Sequence, residues 1–459
     1  MMKTSKGLKT FLIIWSGQLL SMIGSGLIGF ALSVWIYGQT GQVTPFALTA
    51  LFSTLPRIIL SPVAGAVSDR WNRKVIMLIS DSLSGLITLA TALLLLTGQL
   101  EVWMVYVVSF LGSVFASFQQ PAYTASIVML VPKEQLTRAN SMVQMGHGIE
   151  TLLTPLLAGA LFATIGMKGI ILIDIVTYLF AMFTLVMVSI PQPEQTDRTG
   201  QEKHSILKDI SFGWRYLADR GGLLGLLFYF AAVNFFLNLS AVMLGPLVLS
   251  FSSATSMGAA QTVMGAGMLA GSVLMSVWGG PKNRKVYAVI GFIMLASLGF
   301  IIAGLQPSLT LISVGVFVLT FFIPFASGPS SAIFAAKVAP EVQGRVFATR
   351  SMVSQSMMPL AFILSGILAD KVFTPLLVPG GALADTFVGR WIGVGAGRGI
   401  GLMIICSGLV LMIISVAAFA SPRIRNIETE IPDAIPDSVE GPGSRLGQEE
   451  DPAPSPVSG

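Results

Sequence analysis

Ionisable side chains inside long apolar stretches are the residues of this 459-residue chain that could do chemistry. Of its 22 Asp and Glu residues, Asp81, Glu150 and Asp174 fall well inside such stretches, and Arg57 is the one basic residue deep within one. A charged group in an apolar medium is costly unless it is paired, neutral or hydrated. We therefore expect each of the four side chains to have a functional or a pairing role.

Glu150 is the leading candidate for a proton carrier. The rise of a helix places it about 15–18 Å from the nearest basic loop, close to the middle of a membrane. Desolvation at that depth favours a carboxyl group that can take up and release a proton. His147 lies three residues earlier on the same helical face and could share the proton. The alternatives are a polar clamp between helices for Glu150 and a satisfied core histidine for His147.

The other two buried acids favour different roles. Asp81 lies about 10 Å from the same basic loops, and we interpret it as a structural partner of Arg57, whose long side chain can reach along its helix. Asp174 lies about 8 Å from the opposite surface. It is predicted to be a rim residue that water reaches, with proton coupling as the alternative.

The elements that hold these groups must be solvated by lipid. Apolar residues make up 53% of the chain and charged residues 11%, against about 25% charged residues in soluble domains. The mean hydropathy is +0.79. This composition excludes a cytosolic enzyme, a secreted disulfide scaffold and a nucleic-acid-binding domain. The single cysteine, Cys406, cannot form an internal disulfide.

Twelve apolar stretches, each near the ~20 residues that cross a bilayer, follow one another along the chain. They predict an all-α integral membrane protein with twelve transmembrane helices in two pseudo-symmetric six-helix bundles. The predicted units are an N-terminal bundle over 1–190, a central loop with an amphipathic helix over 191–221, a C-terminal bundle over 222–421 and a disordered tail over 422–459. Their apolar stretches are 9–37, 43–67, 75–98, 102–131, 139–165, 169–190, 222–249, 258–279, 286–305, 309–336, 346–370 and 398–421.

The basic residues predict the orientation. Connections on one side of the predicted membrane, together with both termini, hold 22 of the 27 Lys and Arg residues. This bias matches the positive-inside rule. It places both termini in the cytoplasm and the multi-pass chain in a cell membrane of the bacterial inner type. The net charge of +5 therefore reports topology, and we expect no nucleic-acid partner.

The connection after the second stretch carries the strongest motif. Gly65 leads into it, and Asp69 is the one carboxylate among Arg70, Arg73 and Lys74. This arrangement favours a fixed ion-pair network, with an ordinary basic loop as the alternative reading.

The motif resembles the signature loop of the major facilitator superfamily, which usually has Gly where this chain has Asn72. With the twelve stretches, the central loop and a repeated half, the resemblance covers nearly the whole chain. It implies alternating access between two bundles. It also implies that Asp69 and Arg73 latch the two halves together on the cytoplasmic side, against the start of the eleventh stretch. Within the family, segments 55–65, 69–73, 138–141 and 343–346 are most similar to the macrolide-efflux and siderophore-exporter branch.

The fifth stretch carries small residues and a proline. Gly146, Pro155 and Gly159 partly match a helix-five signature of drug antiporters, in which Thr154 and Ala158 replace two glycines. Small residues permit close helix packing, and Pro155 should kink the helix. Ordinary packing is the alternative explanation.

The family plan implies a central cavity lined by stretches one, four, seven and ten. Large apolar walls with a few amides suit bulky amphipathic ligands better than sugars or phosphates. The uncharged polar candidates in those stretches are Gln18, Gln119, Gln120, Asn234 and Asn238.

These features predict a transporter rather than an enzyme. The sequence contains no phosphate-binding loop, metal-ligand cluster or catalytic triad, so no cofactor is expected. We predict proton-coupled efflux of macrolide-like or other amphipathic small molecules by a monomer in the lipid bilayer. Two alternatives are open: a dedicated metabolite or siderophore permease, and a non-transporting membrane receptor.

Overall fold

The computed structural model describes residues 2–191, 206–281 and 283–434, without the side chains of 2–6, 69–70, 134 and 206–210. This part of the chain is built from helices and their connections. The principal helices are α1 (Met2–Thr40), α2 (Val43–Arg70), α3 (Arg73–Leu96), α4 (Val102–Leu130), α5 (Leu136–Met187), α6 (Ile206–Ala218), α7 (Gly221–Leu249), α8 (Ala254–Trp278), α9 (Lys285–Gly304), α10 (Leu309–Lys337), α11 (Gln343–Leu368) and α12 (Arg398–Ala420).

Eleven of the described helices are long and apolar enough to cross a membrane, and α5 contains two crossings. Gly166 interrupts this 52-residue helix with the non-helical angles φ 64 and ψ −172. Before Gly166, α5 runs parallel to α1, because Thr154 adjoins Gly26 further along than Met142 adjoins Trp15.

After Gly166 the chain runs back along α1. Asp174 adjoins Gly24, and Thr184 adjoins the earlier Gly17. The single glycine at 166 therefore replaces a loop, because its positive φ costs little without a Cβ atom. The described part of the chain crosses the membrane twelve times, as predicted.

Two sets of six crossings form the two halves of the protein. Helices α1–α5 make the N-terminal half, in which α1 packs on both arms of α5 and α2 packs on α4. Helices α7–α12 make the C-terminal half, in which α10 packs on α8 and α9, and α12 packs on α9. This arrangement confirms the predicted twelve-helix, two-bundle architecture.

Two names describe the ends of the bundle. The basic end holds the connections 71–72 and 131–135, together with the start of α7 and the end of α12. The far end holds the connections 41–42 and 250–253, and Gly166. The long far-end connection between α11 and α12 contains the short helices Thr374–Leu376 and Phe387–Ile392.

Helix α6 lies between the halves in sequence and docks on the C-terminal half. Leu217, on its predicted apolar face, is fully buried. Gly213 faces Thr349 of α11 so closely that a Cβ atom would have no room there. Trp214 meets Phe228 of α7 edge-on, with 6.1 Å between ring centroids. The helix is therefore held by protein contacts, whereas the sequence predicted a helix lying on the membrane surface.

The first part of the C-terminal tail is ordered. Residues Pro422–Arg425 and Ile427–Glu430 form short helices. Ile427 is fully buried, and a Cβ atom on Gly222 of α7 would lie 2.7 Å from its Cγ1. The predicted disorder is therefore wrong for 422–434, because an apolar anchor fits a groove beside a glycine. The predicted disorder of 435–459 concerns residues outside the described part.

Candidate functional site

A cavity of about 590 Å³ lies between the two halves. Helices α1, α2, α4 and α5 line it from one half, and α7, α8 and α11 line it from the other. Its volume falls in the range of about 300–1,000 Å³ that is usual for small-molecule sites. Lining side chains include Phe30, Glu150, Asn238, Gln261, Met358 and Phe362.

Glu150 presents a partly exposed carboxylate to this cavity. Its side chain is 34% exposed and that of His147 is 40% exposed, with 3.7 Å between Glu150 Oε2 and His147 Nδ1. Arg57 lies close enough to Glu150 to act on its charge. The cavity therefore contains a proton-accepting carboxylate with a titratable partner one helical turn away.

Asp81 lies outside the cavity lining in a cage of amides. Its side chain is 2% exposed. Gln119 Nε2 donates to Asp81 Oδ1 at 2.5 Å, and Gln18 Nε2 donates to Oδ2 at 3.3 Å. The predicted pair between Asp81 and Arg57 is wrong, because the rotation of α1 and α4 brings two amides to the carboxylate. The predicted cavity roles of Gln18 and Gln119 are replaced by this contact.

Asp174 is a buried residue between α1, α3 and the second arm of α5. It is 3% exposed, and Thr88 Oγ1 donates to its Oδ2 at 2.8 Å. Gly24 of α1 makes room for it, since a Cβ atom there would lie 2.9 Å from Asp174 Oδ1. The predicted water-accessible rim position is wrong, because α1 covers the carboxyl group.

The remaining predicted amides divide between two cavities and the surface. Asn238 lines the central cavity and also a smaller one of about 280 Å³ inside the C-terminal half. Asn234 lines only the smaller cavity, and Gln120 is exposed. Sequence reasoning missed Gln261 of α8 and Met358 of α11, because it assigned the cavity to other helices. The polar Gln261 within a glycine- and alanine-rich helix was the available signal.

A glycine-rich seam between α5 and α8 joins the two halves toward the far end. Thr255 Oγ1 of α8 donates to the Gly159 carbonyl oxygen at 3.0 Å. A Cβ atom on Gly258 would lie 2.2 Å from the Pro155 carbonyl oxygen. Two predicted packing residues, Pro155 and Gly159, thus contact the other half, whereas Gly146 faces α1 within its own half.

The end of α11 also meets the start of α2 at the far end. Asp370 Oδ1 accepts a hydrogen bond from the Val43 N–H at 2.9 Å, and Oδ2 accepts one from the Thr44 N–H at 2.7 Å. A carboxylate at the first turn of a helix is favourable because it meets free N–H groups and the positive end of the helix dipole. Together with the seam, this contact closes the far end of the cavity.

The predicted latch residues lie at the basic end. Arg73 Nη1 donates to the Ala125 carbonyl oxygen at 2.9 Å, and Lys74 Nζ donates to the Val188 carbonyl oxygen at 2.6 Å. Both contacts stay within the N-terminal half. A Cβ atom on Gly65 would meet nothing within 4 Å. The side chains of Asp69 and Arg70, at the end of α2, lie outside the described residues.

Comparisons with known proteins agree with this geometry. The sequence pattern of the Major Facilitator Superfamily matches residues 14–362. Macrolide efflux protein A of Streptococcus pyogenes is 28% identical over 367 residues, which cover 79% of this chain and 90% of that protein. Multidrug efflux pump Tap of Mycolicibacterium fortuitum is 24% identical over 380 residues, covering 81% and 91%.

A solved structure has the same fold. It is a bacterial homolog of the human lysosomal transporter Spinster in an inward-facing and unoccupied conformation. The TM-score is 0.64 at 16% identity, and the match covers 90% of this chain and 96% of that one. The likeness extends to both halves of the chain.

Proposed function

Because the chain belongs to the Major Facilitator Superfamily, we propose that it exports bulky amphipathic molecules of the macrolide-like class in exchange for protons. The similarity to efflux proteins supports the direction of transport. The observation that carries the proposal is the position of Glu150, which faces the cavity between the two halves.

The conformation fits the loading step of an exporter. We take the basic end as cytoplasmic, because of the charge bias of its connections. The far-end contacts of Asp370 with α2, and of α5 with α8, then close the cavity to the outside. A molecule would enter from the cytoplasm or the adjoining leaflet.

The cavity walls favour an amphipathic substrate. Aromatic and sulfur-containing side chains such as Phe30 and Met358 offer adaptable apolar surface. Asn238 and Gln261 add uncharged hydrogen-bonding groups, and Glu150 adds one negative charge. This combination suits a large apolar molecule that carries an amine.

Exchange follows from the use of one carboxylate by two ligands. The proton leaves Glu150 for cytoplasmic water, directly or through His147, and the freed carboxylate then attracts a cationic substrate. After the halves rock, a proton from outside neutralises Glu150 and releases the substrate. Asp69 and Arg73 hold the cytoplasmic side closed during that step.

Efflux from cells tests the proposal. Cells expressing the chain are loaded with a fluorescent amphipathic cation or a macrolide, with and without a protonophore. We expect protonophore-sensitive extrusion above an empty-vector control, and its loss in Glu150→Gln. Glu101→Gln is the matched control, since Glu101 is exposed at the far end and accepts only from Trp103.

Two outcomes would contradict the proposal. Full gradient-driven export by Glu150→Gln would remove the proton role from that residue. Absence of extrusion of both probes by a correctly inserted protein would favour a dedicated metabolite or siderophore carrier.

A further inference from the structure

A second polar cavity, of about 420 Å³, lies at the basic end, away from the transport cavity. Its walls are the start of α9, the end of α10 and residues 422–434, which we call the strap. The strap crosses these helix ends and is tied to them by the Ala434 N–H, which donates to the Ala336 carbonyl oxygen at 2.7 Å. The charged residues lining the cavity are Arg284, Lys285, Lys337, Arg425, Glu428 and Asp433.

The two acids of this cavity already have partners. The Glu428 carboxylate accepts the Lys285 N–H at 3.0 Å and the Val286 N–H at 3.3 Å, and so caps the first turn of α9. Asp433 Oδ1 lies 2.9 Å from Lys337 Nζ. The ammonium group of Lys337 also donates to the Glu428 carbonyl oxygen at 2.8 Å. These contacts hold the strap in place and leave both carboxylates engaged.

Three cations of the cavity lack such partners. Within the described residues, no hydrogen bond or ion pair joins the side chains of Arg284, Lys285 or Arg425 to an acceptor. Arg284 also has a positive φ of 55°, the one such non-glycine residue in the described chain. Strained backbone of this kind costs about 1–3 kcal/mol and clusters at functional sites. Three cations around one cavity therefore mark a place for a polyvalent anion.

An apolar surface adjoins this cation cluster. Tyr287, which lines the cavity, meets Phe419 of α12 edge-on, with 5.5 Å between ring centroids. Phe419 is exposed, as are Val416 and Ile413 along the same helix. In a membrane-spanning helix these side chains face lipid. The cluster thus lies at the polar end of a lipid-facing stripe.

We propose that this cavity binds the phosphate headgroup of an anionic phospholipid from the leaflet at the basic end. The guanidinium groups of Arg284 and Arg425 and the ammonium of Lys285 receive the phosphate oxygens. The acyl chains run along the exposed stripe of α12. A lipid bound there also fastens the strap, because Arg425 belongs to the strap and Arg284 precedes α9.

Native mass spectrometry of the full chain in mild detergent tests this site. The protein is offered phosphatidylglycerol and phosphatidylcholine in equal amounts, and retained lipid is measured. We expect preferential retention of phosphatidylglycerol, and a loss of that preference by roughly tenfold in the double variant Arg284→Gln/Arg425→Gln, since each basic residue contributes substantially to anionic-lipid binding. Arg423→Gln is the matched control, because Arg423 lies on the strap but lines a different cavity.

Further measurements separate misfolding and soluble anions from the proposal. The single variant Arg425→Gln and the thermal unfolding midpoint of each variant show whether a loss of lipid reflects a loss of fold. Equal retention of both lipids by the unchanged protein would overturn the proposal, as would an equal loss in Arg423→Gln. Displacement of phosphatidylglycerol by millimolar inorganic phosphate alone would overturn the lipid assignment in favour of a soluble anion.

Discussion

The carboxylate of Asp370 at the end of α11 accepts the backbone N–H of Val43 at the start of α2, across the boundary between the two halves. The contact joins a fixed negative charge to the positive end of a helix dipole. It needs no basic side chain from the other half. It also exists only while the far end is closed, so it stabilises one conformation of the transport cycle.

Neutralising Asp370 should therefore shift the conformational equilibrium. We expect Asp370→Asn to weaken far-end closure by about 0.3–2 kcal/mol. Cys406 is the only cysteine, so a Cys406→Ser background with Ser33→Cys in the cavity reports access from outside to a membrane-impermeant maleimide. Labelling should rise in Asp370→Asn. Asp385→Asn, an exposed acid on the same far-end connection, should leave labelling unchanged, and an equal rise there would contradict the prediction.

The seam between α5 and α8 should tolerate no added side chain. A Cβ atom on Gly258 would lie 2.2 Å from the Pro155 carbonyl oxygen. Gly258→Val should therefore hold the halves apart at the far end and lower the initial efflux rate in membrane vesicles by roughly tenfold or more, the scale of overpacking by about 1–3 kcal/mol. Gly291→Val is the control, because a Cβ atom there meets nothing within 4 Å. Equal rates for the two variants would count against a packed seam.

Neighbouring glutamines offer a test of the amide cage around Asp81. Gln119→Leu removes a donor from a buried carboxylate and should cost about 1–3 kcal/mol of stability. The adjacent Gln120 is exposed, so Gln120→Leu should change little. Thermal unfolding in detergent measures both variants. Identical unfolding midpoints for the two would mean that the cage contributes no stability.

The strap should be required while the residues after it are not. Glu428→Ala removes the acceptor for two N–H groups of α9 and should lower stability by about 0.5–2 kcal/mol, as loss of a helix cap does. Glu430→Ala, at an exposed strap position bonded to Asn426, should have little effect. Truncation after residue 434 should leave efflux intact. A strong defect in that truncation would assign a role to residues 435–459.

The crossings were predictable because each has to span hydrocarbon, and length and hydropathy alone define such segments. The cavity-facing position of Glu150 followed from its depth. The partners of Asp81 did not, because an evenly apolar helix carries no period that reveals its rotation, so Gln18 and Gln119 could not be told from cavity residues. The order of the strap was hidden by its average composition. Ile427 becomes an anchor only beside Gly222, a pairing that spans about 200 residues of sequence.

The reversal of α5 at Gly166 has a mechanical consequence. One arm of α5 touches the opposite half through Gly159, and the other arm grips α1 through Asp174 and Thr184. A loop between the arms would absorb strain, but a single residue provides no slack. The two arms therefore work as a crank, in which separation at the seam turns directly into torque on α1 and hence on one wall of the cavity.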